Sequence, residues 1–144
     1  TLFYMHGVFS PAEAAACHIN VLELFASYMA APTFAAAMPA ATRSLEFTDN
    51  SGAEWSARRE RSRSAMMEAI IGRRAAWLAD SRHFIRTARI SSAENLWADM
   101  LSRQRAHEVL AAATACGLTP HRLFPAPGLR DMAWLTALAN APSL

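Results

Sequence analysis

The proline-free segment 51–116 constrains the fold most, because it opens with a strong helix start and continues without a proline. Ser51 and Glu54 match a capping box, in which the serine side chain and the glutamate three residues later satisfy free backbone N–H groups. Large apolar residues then recur at spacings that keep them near one helical face: Trp55, Met66, Ile70, Trp77 and Phe84. The pattern predicts one long helix over residues 52–88.

A second helix is predicted directly after the first. Ser91 and Glu94 repeat the capping box, and Gly117 suits the left-handed conformation that commonly ends a helix. These signals place the second helix over residues 92–116. Because only a few residues separate it from the long helix, we expect the two to pack against each other.

Two further helices complete the predicted architecture. Ser10, Pro11 and Glu13 give a third helix start, for a helix over 11–31, and a last helix is predicted over 129–141. Alanine supplies much of the hydrophobic content of 53%, and β-branched residues are sparse, which favours helix over sheet. The sequence therefore predicts a single all-α domain, residues 1–144, built as a bundle of about four helices around the long arginine-rich one.

Arginine is concentrated on the long helix. Segment 51–89 holds nine arginines and four acids, a net charge of +5, and the rest of the chain is at −3. Six of these arginines are the predicted sites for an anion or an acidic partner: Arg58, Arg59, Arg61, Arg63, Arg73 and Arg74. The same pattern is typical of a solvated helix face, of phosphate contacts in a nucleic-acid-binding module, and of contact with anionic lipid.

An uncharged apolar stretch runs from Leu24 to Thr42 for nineteen residues. Pro32 and Pro39 are expected to break any helix there, and alanine gives most of the apolarity, which argues against a membrane span. We expect a hydrophobic docking surface for a protein partner, a second copy of the chain, or a granule or membrane surface, on these residues: Leu24, Phe25, Tyr28, Met29, Phe34 and Met38. A cytoplasmic location is expected.

No catalytic, cofactor or metal constellation is evident in the sequence. The five histidines have no spacing that places two on one helical turn, and the two cysteines have no CxxC motif. Cys17 and Cys116 are expected to be buried and reduced, although a disulfide between them remains open. Nucleophile and phosphate-loop motifs are absent too. The sequence thus predicts a non-enzymatic protein with no cofactor, no metal and no small-molecule substrate.

The helical segments at 73–80 and 88–97, with the run 103–106 that follows, resemble phasins. In this sequence they read RRAAWLAD, ARISSAENLW and RQRA. Phasins are small helical proteins that coat polyester storage granules, so the resemblance implies a coat whose amphipathic helices lie on a hydrophobic surface. The four tryptophans, the two cysteines and the prolines between 120 and 128 depart from the phasin pattern and indicate a firmer core.

These observations favour a non-enzymatic interaction or scaffold protein that docks on a partner protein or a hydrophobic surface. The alternatives are a phasin-like granule coat and an arginine-rich helical module that binds nucleic acid.

Overall fold

A computed structural model describes residues 1–49 and 65–140, with side chains up to residue 138. Helices alternate with short parallel strands, so the prediction of an all-α four-helix bundle is wrong. In chain order the elements are β1 Leu2–Tyr4, α1 Pro11–Ala16, α2 Ile19–Ala37, β2 Arg43–Thr48, α3 Ala65–Ser81, β3 Phe84–Arg89, α4 Leu96–Ser102, α5 Ala106–Ala115, β4 Pro120–Arg122, α6 Pro127–Arg130, α7 Ala133–Thr136 and the 3₁₀ turn Ala137–Asn140.

The strands β2 and β3 pair in parallel, with α3 between them in the chain, which makes a β-α-β unit. The register runs from Arg43 opposite Phe84 to Thr48 opposite Arg89. Residues 84–88 were predicted to belong to the long helix, and that prediction is wrong. Within 84–90 the order FIRTARI alternates apolar or β-branched residues with arginine, a period-two pattern that suits a strand.

Of the long helix predicted over 52–88, the start with its capping box at Ser51 lies outside the described residues. The described part, α3, ends before residue 88 because Arg82 takes the left-handed conformation, with φ at 56°. The His83 N–H donates to the Leu78 carbonyl and the Arg82 N–H donates to the Ala79 carbonyl. Together these bonds form a Schellman motif, the usual C-terminal closure of a helix. Arginine rarely holds this position, so no glycine signal in the sequence marked the stop.

The predicted helix over 92–116 is also two helices. Gln104 has φ at 62°, and the Arg105 N–H donates to the Met100 carbonyl, so α4 ends in the same kind of closure. The predicted stop at Gly117 is present at the end of α5, with φ at 79° and a bond from the Leu118 N–H to the Ala113 carbonyl. Of these three helix ends, the one at Gly117 was predicted from the sequence, and the ends at Arg82 and Gln104 were not.

The predicted helix over 11–31 is divided near its start and extended at its end. The capping box of Ser10 and Glu13 is present, but α1 stops at Ala16, and the His18 ring caps α2 by accepting from the Asn20 N–H at 3.1 Å. The helix α2 then continues through Pro32 to Ala37. The expectation that Pro32 would break it is wrong.

The core lies where α2 crosses α3 and α7. Its largest fully buried side chains in this region are Leu24 and Phe25 from α2, Ile70 from α3 and Leu135 from α7. Trp134 packs at the margin of this cluster, and its ring centroid lies 6.3 Å from that of Phe25. The tightest packing is therefore formed by residues that are far apart in the chain.

A second parallel pair joins the first strand of the described chain, β1, to its last strand, β4. β1 runs beside β4, with Leu2 opposite Pro120 and Tyr4 opposite Arg122. Beyond β4, the region predicted as one helix over 129–141 forms the short helices α6 and α7 and a 3₁₀ turn. The Asp131 carboxylate caps α7 by accepting from the Ala133 N–H at 2.9 Å.

Candidate functional site

The candidate site is a cavity of about 630 Å³ between α2, β2 and α4. Acidic side chains from all three regions line it: Glu23, Glu46, Asp49 and Asp99. Apolar groups such as Phe34 and Met38 line it as well. Several carboxylates around one cleft concentrate negative potential there, which attracts cations. We call this the acidic cavity.

One of these acids, Glu46 on β2, has a structural partner. The Arg74 Nη2 on α3 lies 3.0 Å from the Glu46 Oε2, and the Ser27 hydroxyl donates to the Glu46 Oε1 at 2.5 Å. Arg74 is only 4% exposed, so this ion pair is largely shielded from water. Glu46 therefore serves to join α2, β2 and α3 beneath the cavity.

Asp49 lies directly after β2, at the carboxyl end of a parallel strand, and is partly buried. Ligands of open α/β sheets generally bind outside the carboxyl ends of their strands. The fold explains the position of Asp49. Arg74 holds Glu46 on β2, and the strand ends two residues later, at the cavity. Asp49 is thus well placed to contact a ligand.

Asp99 approaches the cavity from α4. Asn95, one helical turn earlier, lines the same cavity, and its side chain makes no capping bond to the helix. Arg103 lies 3.1 Å from Asp99 in an exposed pair, with its own side chain 68% exposed. Exposed pairs of this kind contribute little free energy.

The cavity suits a hard divalent cation better than a structural metal such as zinc. Within residues 1–49 and 65–140, no group of three or more His, Cys, Asp or Glu side chains is arranged to hold a metal by itself. Magnesium does not require such a group, since it commonly binds through one or two carboxylates, several waters and the phosphates of a substrate. Asp49 and Asp99 fit that mode of binding.

A second, more apolar cavity of about 810 Å³ adjoins the first. The two share part of their lining, including Met5, Glu23 and Ser102. Phe9, Leu101 and Phe124 are among the side chains that line only the second one, which we call the apolar cavity. A ligand held at the acids has space to continue into it.

Two of the six predicted arginine sites lie within the described residues. Arg58, Arg59, Arg61 and Arg63 lie outside the described residues. Arg73 is exposed on α3 and its guanidinium carbon lies 3.7 Å from the centroid of the Trp134 ring, whereas Arg74 is buried against Glu46. Of the two described arginines, Arg73 thus remains at the surface, whereas Arg74 is withdrawn from it.

The predicted docking residues on α2 are divided between the core and the acidic cavity. Leu24, Phe25 and Met29 are buried in the core, and Tyr28 packs against Phe25 and Trp134. The last two of the set, Phe34 and Met38, line the acidic cavity. These residues therefore do not form one continuous exposed surface.

The acids at the cavity were not selected from the sequence. Glu23, Asp49 and Asp99 stand far apart and belong to no motif, so neither spacing nor composition indicated them. The strand pattern of residues 43–48 was the available signal, because an acid at the end of a parallel strand lies where ligands bind. For Asp99 the sequence offers no comparable signal.

The remaining expectations concern the membrane, the cysteines and relatives. None of the helices in the described part of the chain combines the length and the apolarity that a membrane span needs. Cys17 is buried as expected but Cys116 is exposed, and neither forms a disulfide.

No family model, characterised protein or solved structure matches the chain.

Proposed function

We propose that this chain binds a divalent cation of the magnesium class at Asp49 and Asp99, and that it acts on a phosphate-bearing substrate. One observation carries the proposal: two acids from separate elements line one cavity at the carboxyl end of a parallel strand, whereas Glu46 in the same cavity is neutralised by Arg74. Oxygen ligands of this kind favour magnesium or manganese over softer metals.

The chemistry that this arrangement supports is hydrolysis of a phosphate ester. Asp49 and Asp99 would hold the cation against the phosphate oxygens, where it offsets the negative charge that develops during the reaction. A water oxygen attacks phosphorus and the ester P–O bond breaks. The water gives a proton to a carboxylate of the cavity, with Glu23 the candidate acceptor, and the leaving oxygen then takes up a proton.

Calorimetric titration with magnesium chloride tests the cation site. Asp49→Asn and Asp99→Asn keep side-chain size but remove charge, so each should weaken magnesium binding by about tenfold or more. The control is Glu94→Gln, which removes an exposed acid that does not line the cavity and should leave binding unchanged. Equal binding in all four proteins would contradict the proposal.

Activity is a separate measurement on the same proteins. Hydrolysis of bis(p-nitrophenyl) phosphate should require magnesium or manganese, should stop with EDTA, and should be lost in Asp49→Asn and Asp99→Asn. Cation binding without hydrolysis would leave the site in place and remove the enzymatic part of the proposal. The sequence analysis had favoured a non-enzymatic protein, and this assay decides between the two.

A second function, docking to a protein or a hydrophobic surface, is favoured by one other observation. Leu45, Phe47 and Phe84 are each more than half exposed on the β2–β3 pair. Parallel sheets are normally covered on both faces, so this surface is unusual. We propose this face, in place of the docking residues predicted on α2, as the surface on which a scaffold or a phasin-like chain would hold its partner. Sedimentation velocity and partition onto polyester particles, each compared with Phe47→Ser/Phe84→Ser, test these two alternatives. A monomer that stays off the particles would contradict both.

A further inference from the structure

Rings and basic groups alternate along the β1–β4 pair and the residues just after it. The Phe3 and His121 ring centroids lie 5.9 Å apart, and the Tyr4 and His6 rings are stacked at 6.1 Å with an interplanar angle of 11°. Successive strand residues point to opposite faces of a sheet, so Phe3 and His121 share one face, and Tyr4 and its register partner Arg122 share the other. We call the second face, formed by Tyr4, His6, Arg122 and Phe124, the β1–β4 platform.

The end of the platform that faces solvent combines a ring with a guanidinium group. Phe124 is 68% exposed, and the Arg122 guanidinium carbon lies 4.6 Å from the centroid of its ring. A large apolar ring in water next to a cation is the combination that nucleic-acid-binding proteins use, because bases stack on the ring and phosphates pair with the cation.

The segment that connects the platform to the rest of the chain is held by side chains from distant positions. Arg122 donates to the His6 carbonyl at 3.3 Å, Gln104 to the Gly7 carbonyl at 3.3 Å, and Arg130 to the Val8 carbonyl at 3.1 Å. Three consecutive carbonyls are thereby fixed. A surface fixed before binding loses less conformational entropy when a ligand arrives.

The platform leads toward the acidic cavity. His6 and Phe124 both line the apolar cavity, which shares Glu23 and Ser102 with the acidic one. Burial, and to a smaller extent the positive charge of Arg122, lower the pKa of His6 from its ordinary value, so its ring is neutral at pH 7 and can stack as an uncharged plane. A nucleic-acid strand stacked on Phe124 would therefore lie at the apolar cavity, which adjoins the acidic one.

We infer that the β1–β4 platform binds single-stranded nucleic acid, with a base stacked on Phe124 and a backbone phosphate at Arg122. The inference deepens the proposed function by naming its substrate class. It rests on that function only for the cleavage step, because stacking and phosphate contact need no cation. A protein partner is less well matched, since the exposed apolar area here is one ring bordered by charged and polar groups.

The test is fluorescence anisotropy with a fluorescein-labelled twelve-residue oligothymidine in buffer with EDTA, so that no divalent cation contributes. Phe124→Leu keeps an apolar side chain but removes the ring, and it should weaken binding about fivefold or more, the loss expected for one stacked base. Phe124→Trp restores a ring and should bind at least as well as the unmodified chain. Phe84→Leu is the matched control, because Phe84 is 64% exposed but lies on β3.

The charge contribution is tested in the same assay. Arg122→Gln should reduce the dependence of affinity on salt, and Arg43→Gln on β2 should leave it unchanged if the platform is the binding surface. Absent binding, equal weakening by Phe124→Leu and Phe84→Leu, or undiminished affinity for an abasic oligonucleotide would overturn the inference. Oligonucleotide binding without any magnesium binding in the calorimetric titration would instead contradict the proposed function alone, since this assay contains no divalent cation.

Discussion

The buried Arg74 on α3 and Glu46 on β2 form an ion pair, with the Arg74 Nη2 3.0 Å from the Glu46 Oε2. The pair fixes the strand against the helix, and the strand in turn places Asp49 at the acidic cavity. Ser27 on α2 contributes a hydrogen bond to the same carboxylate. One ion pair thus links the packing of three elements to the candidate site.

Breaking this pair should destabilise the chain strongly. Arg74→Ala leaves Glu46 without its partner, and we expect the free energy of unfolding to fall by about 3 kcal/mol, because a buried charge that loses its partner is costly. The double variant Arg74→Met/Glu46→Leu removes both charges and should lose less. Urea denaturation measures both. An Arg74→Ala protein as stable as the unmodified chain would contradict this role for the pair.

Truncation along α2 should separate core residues from cavity residues. Leu24→Ala should lower the free energy of unfolding by about 2–5 kcal/mol, since the side chain is fully buried and leaves a cavity. Met38→Ala, whose side chain is 39% exposed, should cost less than about 1 kcal/mol. Thermal and urea unfolding measure the difference. Similar losses in the two variants would show that Leu24 is not the core residue described here.

The pair of Glu13 and Arg130 should make stability depend on acidity. Two hydrogen bonds from Arg130, both at 2.9 Å, are the largest cause that lowers the pKa of Glu13 from 4.5 to about 2. The stabilisation is therefore fully present above pH 4.5 and is lost as the pH falls toward 2. We expect about 1–2 kcal/mol at pH 7, because both side chains remain partly exposed to solvent.

Glu13→Gln tests that dependence. Its stability should be lower than that of the unmodified chain at pH 7, and the difference should shrink as the pH approaches 2. Glu94→Gln serves as the control. Because Glu94 is exposed, the stability of this variant relative to the unmodified chain should stay the same across this pH range. A constant gap between Glu13→Gln and the unmodified protein across this range would count against the effect.

The two cysteines should differ in reactivity. Burial, and after it the charge of Glu13, raise the pKa of Cys17, whereas Cys116 is exposed. Since the thiolate is the reactive form, we expect Cys17 to react with a disulfide reagent about tenfold or more slowly than Cys116. Absorbance kinetics at neutral pH measure the two phases, and Cys116→Ser should remove the fast one. If Cys116→Ser removed the slow phase instead, the assignment would be wrong.

How much of this fold the sequence could predict depends on the kind of signal. The capping box of Ser10 and the stop at Gly117 are local, and both are present. The stops at Arg82 and Gln104 are made by residues that seldom adopt a left-handed conformation, so local chemistry gave no indication of them. Without those stops, the strand over 84–89 was interpreted as more helix.

The candidate site was harder to predict than the fold. Asp49 and Asp99 come together only through the pairing of β2 with β3 and the placement of α4, which are tertiary facts. Arg74 was selected for its charge as a surface contact, yet its burial depends on Glu46, which is 28 positions away in the chain. Charge patterns identify candidate groups, but only packing determines which of them remain exposed.

The most direct test of the central claim is paramagnetic broadening of the ¹H–¹⁵N spectrum by manganese. If the acidic cavity holds a divalent cation, the amide signals of Asp49 and Asp99 should weaken first, and excess magnesium should restore them. Broadening centred on exposed acids such as Glu94, or no selective broadening of the Asp49 and Asp99 signals, would contradict the account.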